Sequence, residues 1–193
     1  MKVVVKIGGA ALENAGTLQK CATAVAELAK AGNRVAVVHG GGAAFTRVLK
    51  QMGKQTEFVN GLRVTDAETR DVALMVLGGM VNKKFVAALA STGCAAIGLC
   101  GGDGLMFRAQ KKYVSGQDLG FVGEITAADP QWLEVVWSAG GIPVISSVAL
   151  GYDGEYYNVN ADTMAAACAT ACGADALIFC RFLAEFFRRF TCN

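Results

Sequence analysis

Two short stretches place a charged or polar side chain directly before a run of glycines: Lys6-Ile7-Gly8-Gly9 and His39-Gly40-Gly41-Gly42. Glycine has no Cβ, so its backbone can approach a ligand closely. Successive N–H groups in such a turn form a concave anion cradle, here beside a lysine ammonium. Each stretch follows a β-branched run. The second also precedes an alanine-containing helical pattern, which puts its amides at a helix N-terminus, where negative charge is favoured. Either loop alone is commonly just a tight turn. Two of them at the carboxyl ends of parallel strands would open onto one crevice, and that pairing points to phosphate or carboxylate chemistry.

Two further stretches carry polar groups in a suggestive order. In Gly61-Leu62-Arg63-Val64-Thr65-Asp66 an arginine sits before a helix start, and its planar fork could clamp a carboxylate. In Asn158-Val159-Asn160-Ala161-Asp162 alternate residues share one face of an extended segment that then turns into a helix. The ordinary readings are a surface arginine and an Asn cap. Familiar alternatives fail on inventory. A His-Gly-Gly-Gly run can serve as an oxyanion loop in hydrolases, but there is no G-x-S-x-G elbow, and the single histidine lies inside the glycine run, where it cannot also be a triad base. Neither a Walker A sequence nor G-x-G-x-x-G occurs.

The elements that must position these groups follow from hydrophobic periodicity. Strands are expected at Val3–Ile7, Arg34–Val38, Ala95–Leu99, Ile142–Ile145 and Leu177–Phe179. Helices are expected at Leu18–Ala31, Ala43–Gln51, Asp66–Ala90, Gln131–Ala139 and Ala161–Thr170. Strands alternating with helices imply an α/β fold with a largely parallel sheet. Thr65 with Glu68 reads as a capping box, and Asp129 before Pro130 as an N-cap followed by a helical first-turn proline. Glycine-broken pieces between Leu105 and Ala127, and the Asp153-Gly154 turn, predict β-hairpins over one end of the sheet, candidates for a lid.

Composition narrows the partners. With 193 residues, 53% of them hydrophobic, the chain can bury one sizeable core. A net charge of +2, with both signs interspersed, supplies no basic stripe for nucleic acid. Seven cysteines with no C-x-x-C pair suggest reduced thiols in a cytoplasmic protein. Glycines interrupt the first apolar run too early for a signal or membrane segment.

Taken together, "KIGGAAL", "VHGGG", "GLRVTD", "DLGFVGEI" and "NVNADTMA" resemble the amino acid kinase family, from Lys2 to Phe179. "GLRVTD" with "NVNAD" points to the members that act on N-acetyl-L-glutamate. The resemblance implies an α/β fold built as a three-layer αβα sandwich with a mainly parallel central sheet, and ATP, with Mg2+, as phosphoryl donor to the γ-carboxylate of N-acetyl-L-glutamate, the second step of arginine biosynthesis. It implies catalytic roles for Lys6 (charge stabilisation) and Asp162 (lysine orientation). It assigns substrate binding to Gly41, Gly42, Arg63 and Asn158, and phosphate binding to Gly8 and Gly9. A homodimer or higher homo-oligomer is also implied. A carboxylate is already ionised at neutral pH, which explains why no general base is visible.

Two departures from the family pattern set further expectations. The first strand begins right after Met1, so arginine feedback is not expected. Residues 180–193 lack the family's Leu-Thr-Asp-Val-like continuation and the nucleotide-binding region with its second lysine, so a 1–179 acetylglutamate-binding part is expected to lead into a divergent amphipathic tail, with impaired turnover and no adenine pocket. Kept open beside this are a non-catalytic acylamino-acid-binding module, a partner- or membrane-docking tail helix, and aspartate, carbamate, UMP or aminoadipate-type kinases.

Overall fold

A computed structural model of the chain describes residues 1–180. In chain order the elements are β1 (Lys2–Ile7), α1 (Gly9–Glu13), α2 (Ala15–Lys30), β2 (Arg34–His39), α3 (Gly42–Gln51), β3 (Phe58–Val59), β4 (Leu62–Arg63) and α4 (Ala67–Ala73). A π-helical stretch (Leu74–Val81) runs from α4 into α5 (Asn82–Ala90). There follow β5 (Ala96–Leu99), β6 (Phe107–Val114), β7 (Gln117–Ala128), α6 (Gln131–Ser138), β8 (Ile142–Ser146), β9 (Val148–Gly151), β10 (Tyr156–Val159), α7 (Ala161–Cys172) and β11 (Ala176–Cys180).

The five strands expected from β-branched runs are the five strands of the central sheet, in the order β11-β1-β2-β8-β5, every pair parallel. Both faces are covered, which is why these strands read as continuous apolar runs. Side chains alternate between the faces. Val3, Val5 and Ile7 of β1 and Val35 and Val37 of β2 pack on the side of α1 to α5. Val4, Ala36 and Val38 pack on the side of α6 and α7. The same alternation sends Lys6 toward the α7 side and His39 toward the long helix. Function therefore follows from strand parity.

The expected hairpins form, and they join. β6 pairs antiparallel with β7, β9 with β10, and parallel β6–β9 and β10–β7 pairs close the four into a ring. Inner residues of the ring, among them Phe107, Ala109 and Tyr157, share the core of α6 and α7. Gly120 ties the ring to the segment before α4: its neighbours Leu119 and Phe121 exchange backbone hydrogen bonds with Thr65. Its φ is +77°, and a Cβ there would lie 2.2 Å from the Thr65 carbonyl, so only glycine fits.

Both expected caps shift by a residue. Asp66, not Thr65, caps α4, its carboxylate accepting from the Thr69 N–H at 2.8 Å, while Thr65 turns its hydroxyl to the Arg63 carbonyl and Glu68 pairs with Lys54. A buried Thr65 held by the ring is unavailable as a cap. Pro130 occupies the N-cap position of α6, with Asp129 just before it accepting from the Gln131 N–H. Helix α1 is not expected from the sequence, and the helix expected over Asp66–Ala90 forms with a π-helical stretch in its middle whose register has no distinct periodicity. The expected divergent tail, residues 180–193, lies outside the described residues except for Cys180, which continues β11 opposite Ile7 instead of leaving the sheet. All six cysteines within the described residues are free, five of them buried. The 24-residue helical run Ala67–Ala90 is apolar enough to cross a membrane by composition, but half of its most apolar window is buried in the core.

Candidate functional site

The two glycine loops meet. A Cβ on Gly9 would stand 2.8 Å from the Gly41 Cα, 2.9 Å from its nitrogen and 3.0 Å from the Gly42 nitrogen. Backbone thus touches backbone at the carboxyl ends of β1 and β2, and the Gly40 N–H reaches the Ile7 carbonyl at 3.3 Å. Gly41 is packed too, with Leu77 only 2.6 Å from where its Cβ would be, whereas Gly42 has open space around it. Gly8 donates its N–H to the Cys180 carbonyl at 3.4 Å. Among the described residues, neither the Gly41 nor the Gly42 N–H donates to a backbone carbonyl.

This contrast separates fold from ligand contact. Gly9→Ala is expected to cost about 1–3 kcal/mol of stability, because the obstructing atoms are backbone and cannot rotate away. Gly42→Ala is expected to leave stability unchanged or slightly higher, since alanine suits a helix start better than glycine. Thermal denaturation of both variants checks the pair; equal melting temperatures would show that the loops do not support each other.

On the α7 side of the sheet, Lys6 Nζ lies 2.8 Å from Asp162 Oδ1, with the lysine side chain 13% exposed. Asp162 is held in the first turn of α7, whose start is fixed by Asn160: its side-chain oxygen accepts from the Asp162 and Thr163 N–H groups at 2.8 and 3.2 Å. The ion pair therefore sits between a strand end and a helix start, beside the glycine contact.

On the other side of the second loop is a cavity of about 180 Å³, lined by Gly40 to Gly42, Phe45, Phe58, Gly61 to Arg63, Leu77, Val122, Ser147 and Asn158 to Ala161. Arg63 forms part of its wall. The guanidinium is stacked between Phe45 and Phe58, 4.5 and 4.6 Å from the ring centroids, and donates through Nη2 to Thr46 Oγ1 at 2.6 Å. Its Nη1 is buried and has no partner among the described residues. Burial pushes the guanidinium pKa down without any carboxylate to offset it. A buried cation with a free donor is poised for an anion. Asn158, on β10, lines the same cavity with its amide 3.5 Å from Thr65 Oγ1.

Of the residues singled out from the sequence, Gly41, Gly42, Arg63 and Asn158 share this cavity, while Lys6, Gly8, Gly9 and Asp162 form a neighbouring cluster across the glycine contact. Phe45, Phe58, Thr46 and Ser147 escaped sequence reasoning, because they carry no motif of their own. A larger opening of about 650 Å³, lined by Gly98 to Cys100, Asp103, Trp132 and Tyr156 among others, lies at the β5 edge. None of the sequence-singled residues borders it.

Glycine loops at the ends of adjacent parallel strands, a lysine–aspartate pair and a cation-walled cavity together have the chemistry that suits an anion. The chain belongs to the amino acid kinase family, whose sequence profile matches residues 1–181. It is 69% identical over 179 residues to the acetylglutamate kinase of Acidobacterium capsulatum and 56% identical over 179 residues to that of Koribacter versatilis, covering 93% of this chain and 68% of each relative. The N-acetylglutamate synthase of Neisseria gonorrhoeae, solved with coenzyme A and N-acetyl-glutamate, superposes with a TM-score of 0.80 at 27% identity, covering 92% of this chain and 41% of that one.

Proposed function

We propose that this chain binds N-acetyl-L-glutamate in the cavity walled by Arg63 and presents its γ-carboxylate to the glycine loops for phosphorylation by ATP. The observation that carries the reading is the buried, unpartnered Nη1 of Arg63 in a small cavity that also contains the free Gly41 and Gly42 amides. The acetylglutamate kinase relatives and the N-acetyl-glutamate in the synthase structure support the choice of ligand.

Each residue has a role. Arg63 takes the α-carboxylate in a fork, and Asn158 hydrogen-bonds the same end of the molecule. The amides of Gly41 and Gly42 orient the γ-carboxylate, and that of Gly9 faces the phosphoryl group, joined by that of Gly8 when it exchanges its long 3.4 Å bond to the Cys180 carbonyl for a phosphoryl oxygen. Lys6 stabilises the charge that spreads over the transferred group, and Asp162 holds the ammonium in place. The carboxylate attacks as it stands, so catalysis consists of holding two anions together and offsetting their charge. Among the described residues no cluster of three or more His, Cys, Asp or Glu could cage a metal ion, so no step is assigned to Mg2+ through this chain's own side chains. The proposal includes a cytoplasmic homo-oligomer; β5 ends the sheet among the described residues and exposes Ile97.

Calorimetric titration of the full 193-residue chain tests the reading. Saturable binding of N-acetyl-L-glutamate, with weaker binding of unacetylated L-glutamate, is expected. No heat of binding up to tens of millimolar, under conditions where the chain is folded, would overturn it.

A further inference from the structure

We propose that His39 and Asn82 act as a positioning pair that locks the Gly40–Gly41 peptide, so that the Gly41 N–H faces the anion site. The inference rests on the reading of that cavity as an N-acetyl-L-glutamate site. His39 and Asn82 are completely buried. The imidazole Nδ1 lies 2.9 Å from the Gly40 carbonyl oxygen and Nε2 lies 3.0 Å from the Asn82 amide nitrogen. That amide nitrogen also donates to the Val144 carbonyl at 2.9 Å, which fixes the amide's orientation, since a reversed amide would set two oxygens against each other. Nε2 must then be the acceptor, and Nδ1 carries the proton and donates it to Gly40. The tautomer is thus determined from both ends.

In a trans peptide the C=O and the following N–H point in opposite directions. Holding the Gly40 carbonyl against the imidazole therefore turns the Gly41 N–H away from it. Gly40, Gly41 and Gly42 give this segment the greatest freedom any sequence allows, and without the imidazole the peptide could flip. His39 supplies the constraint that three glycines remove.

The long helix is shaped to bring Asn82 there. Along the long helix the buried residues come as pairs, Val72 with Ala73 and, four residues on, Val76 with Leu77; the next pair, Val81 with Asn82, follows five residues later, and Phe85, Ala88 and Leu89 continue the face. Between Leu77 and Asn82 the step is five, the wider turn of a π-helix, and it rotates Asn82 onto the core face. On the opposite side, a Cβ on Gly98 would sit 1.8 Å from Asn82 Oδ1. A π-helical turn and a glycine both make room for one amide.

The test uses the full 193-residue chain. It has a single histidine, so imidazole 15N spectra of labelled protein need no assignment. An Nδ1–H tautomer with an unprotonated Nε2 is expected; the Nε2–H tautomer overturns the proposal. His39→Asn keeps a donor near the Nδ1 position, whereas His39→Gln places its amide near Nε2 and loses the donor to Gly40. N-acetyl-L-glutamate affinity is expected to fall about tenfold in His39→Gln, the worth of one hydrogen bond, and to stay within about threefold in His39→Asn. Equal losses in both variants mean a merely structural role and sink the idea. The Gly41 amide resonance of ligand-free protein gives a readout that needs no ligand. It should broaden or double in His39→Gln and stay single in His39→Asn; if it stays single in both, the peptide is not held by His39. Failure of wild-type protein to bind N-acetyl-L-glutamate would refute the substrate reading alone, and the amide would still decide the pair.

Discussion

Arg63→Ala is expected to weaken N-acetyl-L-glutamate binding by about 10²-fold while leaving the ligand-free chain as stable as wild type, to within about 1 kcal/mol. A hydrogen bond to a charged partner contributes about 1.5–3 kcal/mol, and a bidentate guanidinium–carboxylate pair sits at the upper end. In the free chain the balance differs. Stacking on Phe45 and Phe58 favours the guanidinium, but its burial without a carboxylate disfavours it, so truncation removes a gain and a cost together. Loss of affinity without loss of stability is the signature of a ligand-directed residue. Arg63→Lys restores the charge but neither the fork nor the stacking, and should recover only a small part of the loss. Calorimetry beside thermal denataturation reads both quantities. Unchanged affinity in Arg63→Ala would place the carboxylate elsewhere.

How much of this could be read from the sequence depends on whether the signal is local. The five sheet strands are short apolar runs, β-branched and buried in β1, β2 and β8 and partly exposed in the edge strands β5 and β11, and their positions follow directly from composition. The glycine loops are legible as a pair, because either alone is commonly a tight turn, whereas two at the ends of parallel strands point to one anion crevice. That the loops touch is not legible: the contact of Gly9 with Gly41 depends on β1 and β2 being neighbours, a property of topology. Asn82 shows the same limit more sharply. In sequence it stands directly before Lys83 and Lys84 and reads with them as a polar face of the helix, and an ideal 3.6-residue period gives no reason to turn it inward. Only the five-residue step after Leu77 does so, and π-helical register has no sequence periodicity of its own. Phe45 and Phe58 read as ordinary core and surface residues until Arg63 is found between them.

The site also explains why its charged groups lie at element ends. Lys6 is the last but one residue of β1, Asp162 the second of α7, and Arg63 ends the two-residue strand before α4. At such positions a side chain can reach solvent or a ligand while its backbone is fixed by the sheet or a cap. The ring formed by β6, β7, β9 and β10 adds Val122 and Asn158 to the cavity wall, and Gly120 anchors that ring to the Arg63 segment. Strand parity supplies the rest, sending Lys6 to one face and His39 to the other. The two glycine loops are thus supported from opposite sides of one sheet.

Acidification between pH 6.5 and about 4 is expected to destabilise the chain by on the order of 2–3 kcal/mol through His39 alone. Burial lowers the imidazole pKa from its ordinary 6.5 to about 4, opposed only in part by the hydrogen bond to the Gly40 carbonyl. No charged side chain contributes to this shift. The folded-state pKa is depressed, so the unfolded chain takes up a proton first as the pH falls. Stability is fully present above pH 6.5 and is lost progressively as the pH drops through the window toward 4. The chain has one histidine; carboxylates and the thiols of Cys172 and Cys180, lowered to about 7 by hydrogen bonds to Cys168 and Cys21, are common to wild type and variant and cancel in the comparison, while Asp66, held down to about 2 by Lys54 and Thr69, lies well below the window. Protonation at Nε2 would also set an N–H against the Asn82 amide and break the chain of donors that holds the Gly40 carbonyl. Urea denaturation of wild type and His39→Asn at pH 7 and pH 4.5 isolates the effect: wild type should lose more stability over that interval than the variant. Parallel losses in both would mean that the imidazole titrates freely, and that it is not held neutral by its burial against Asn82.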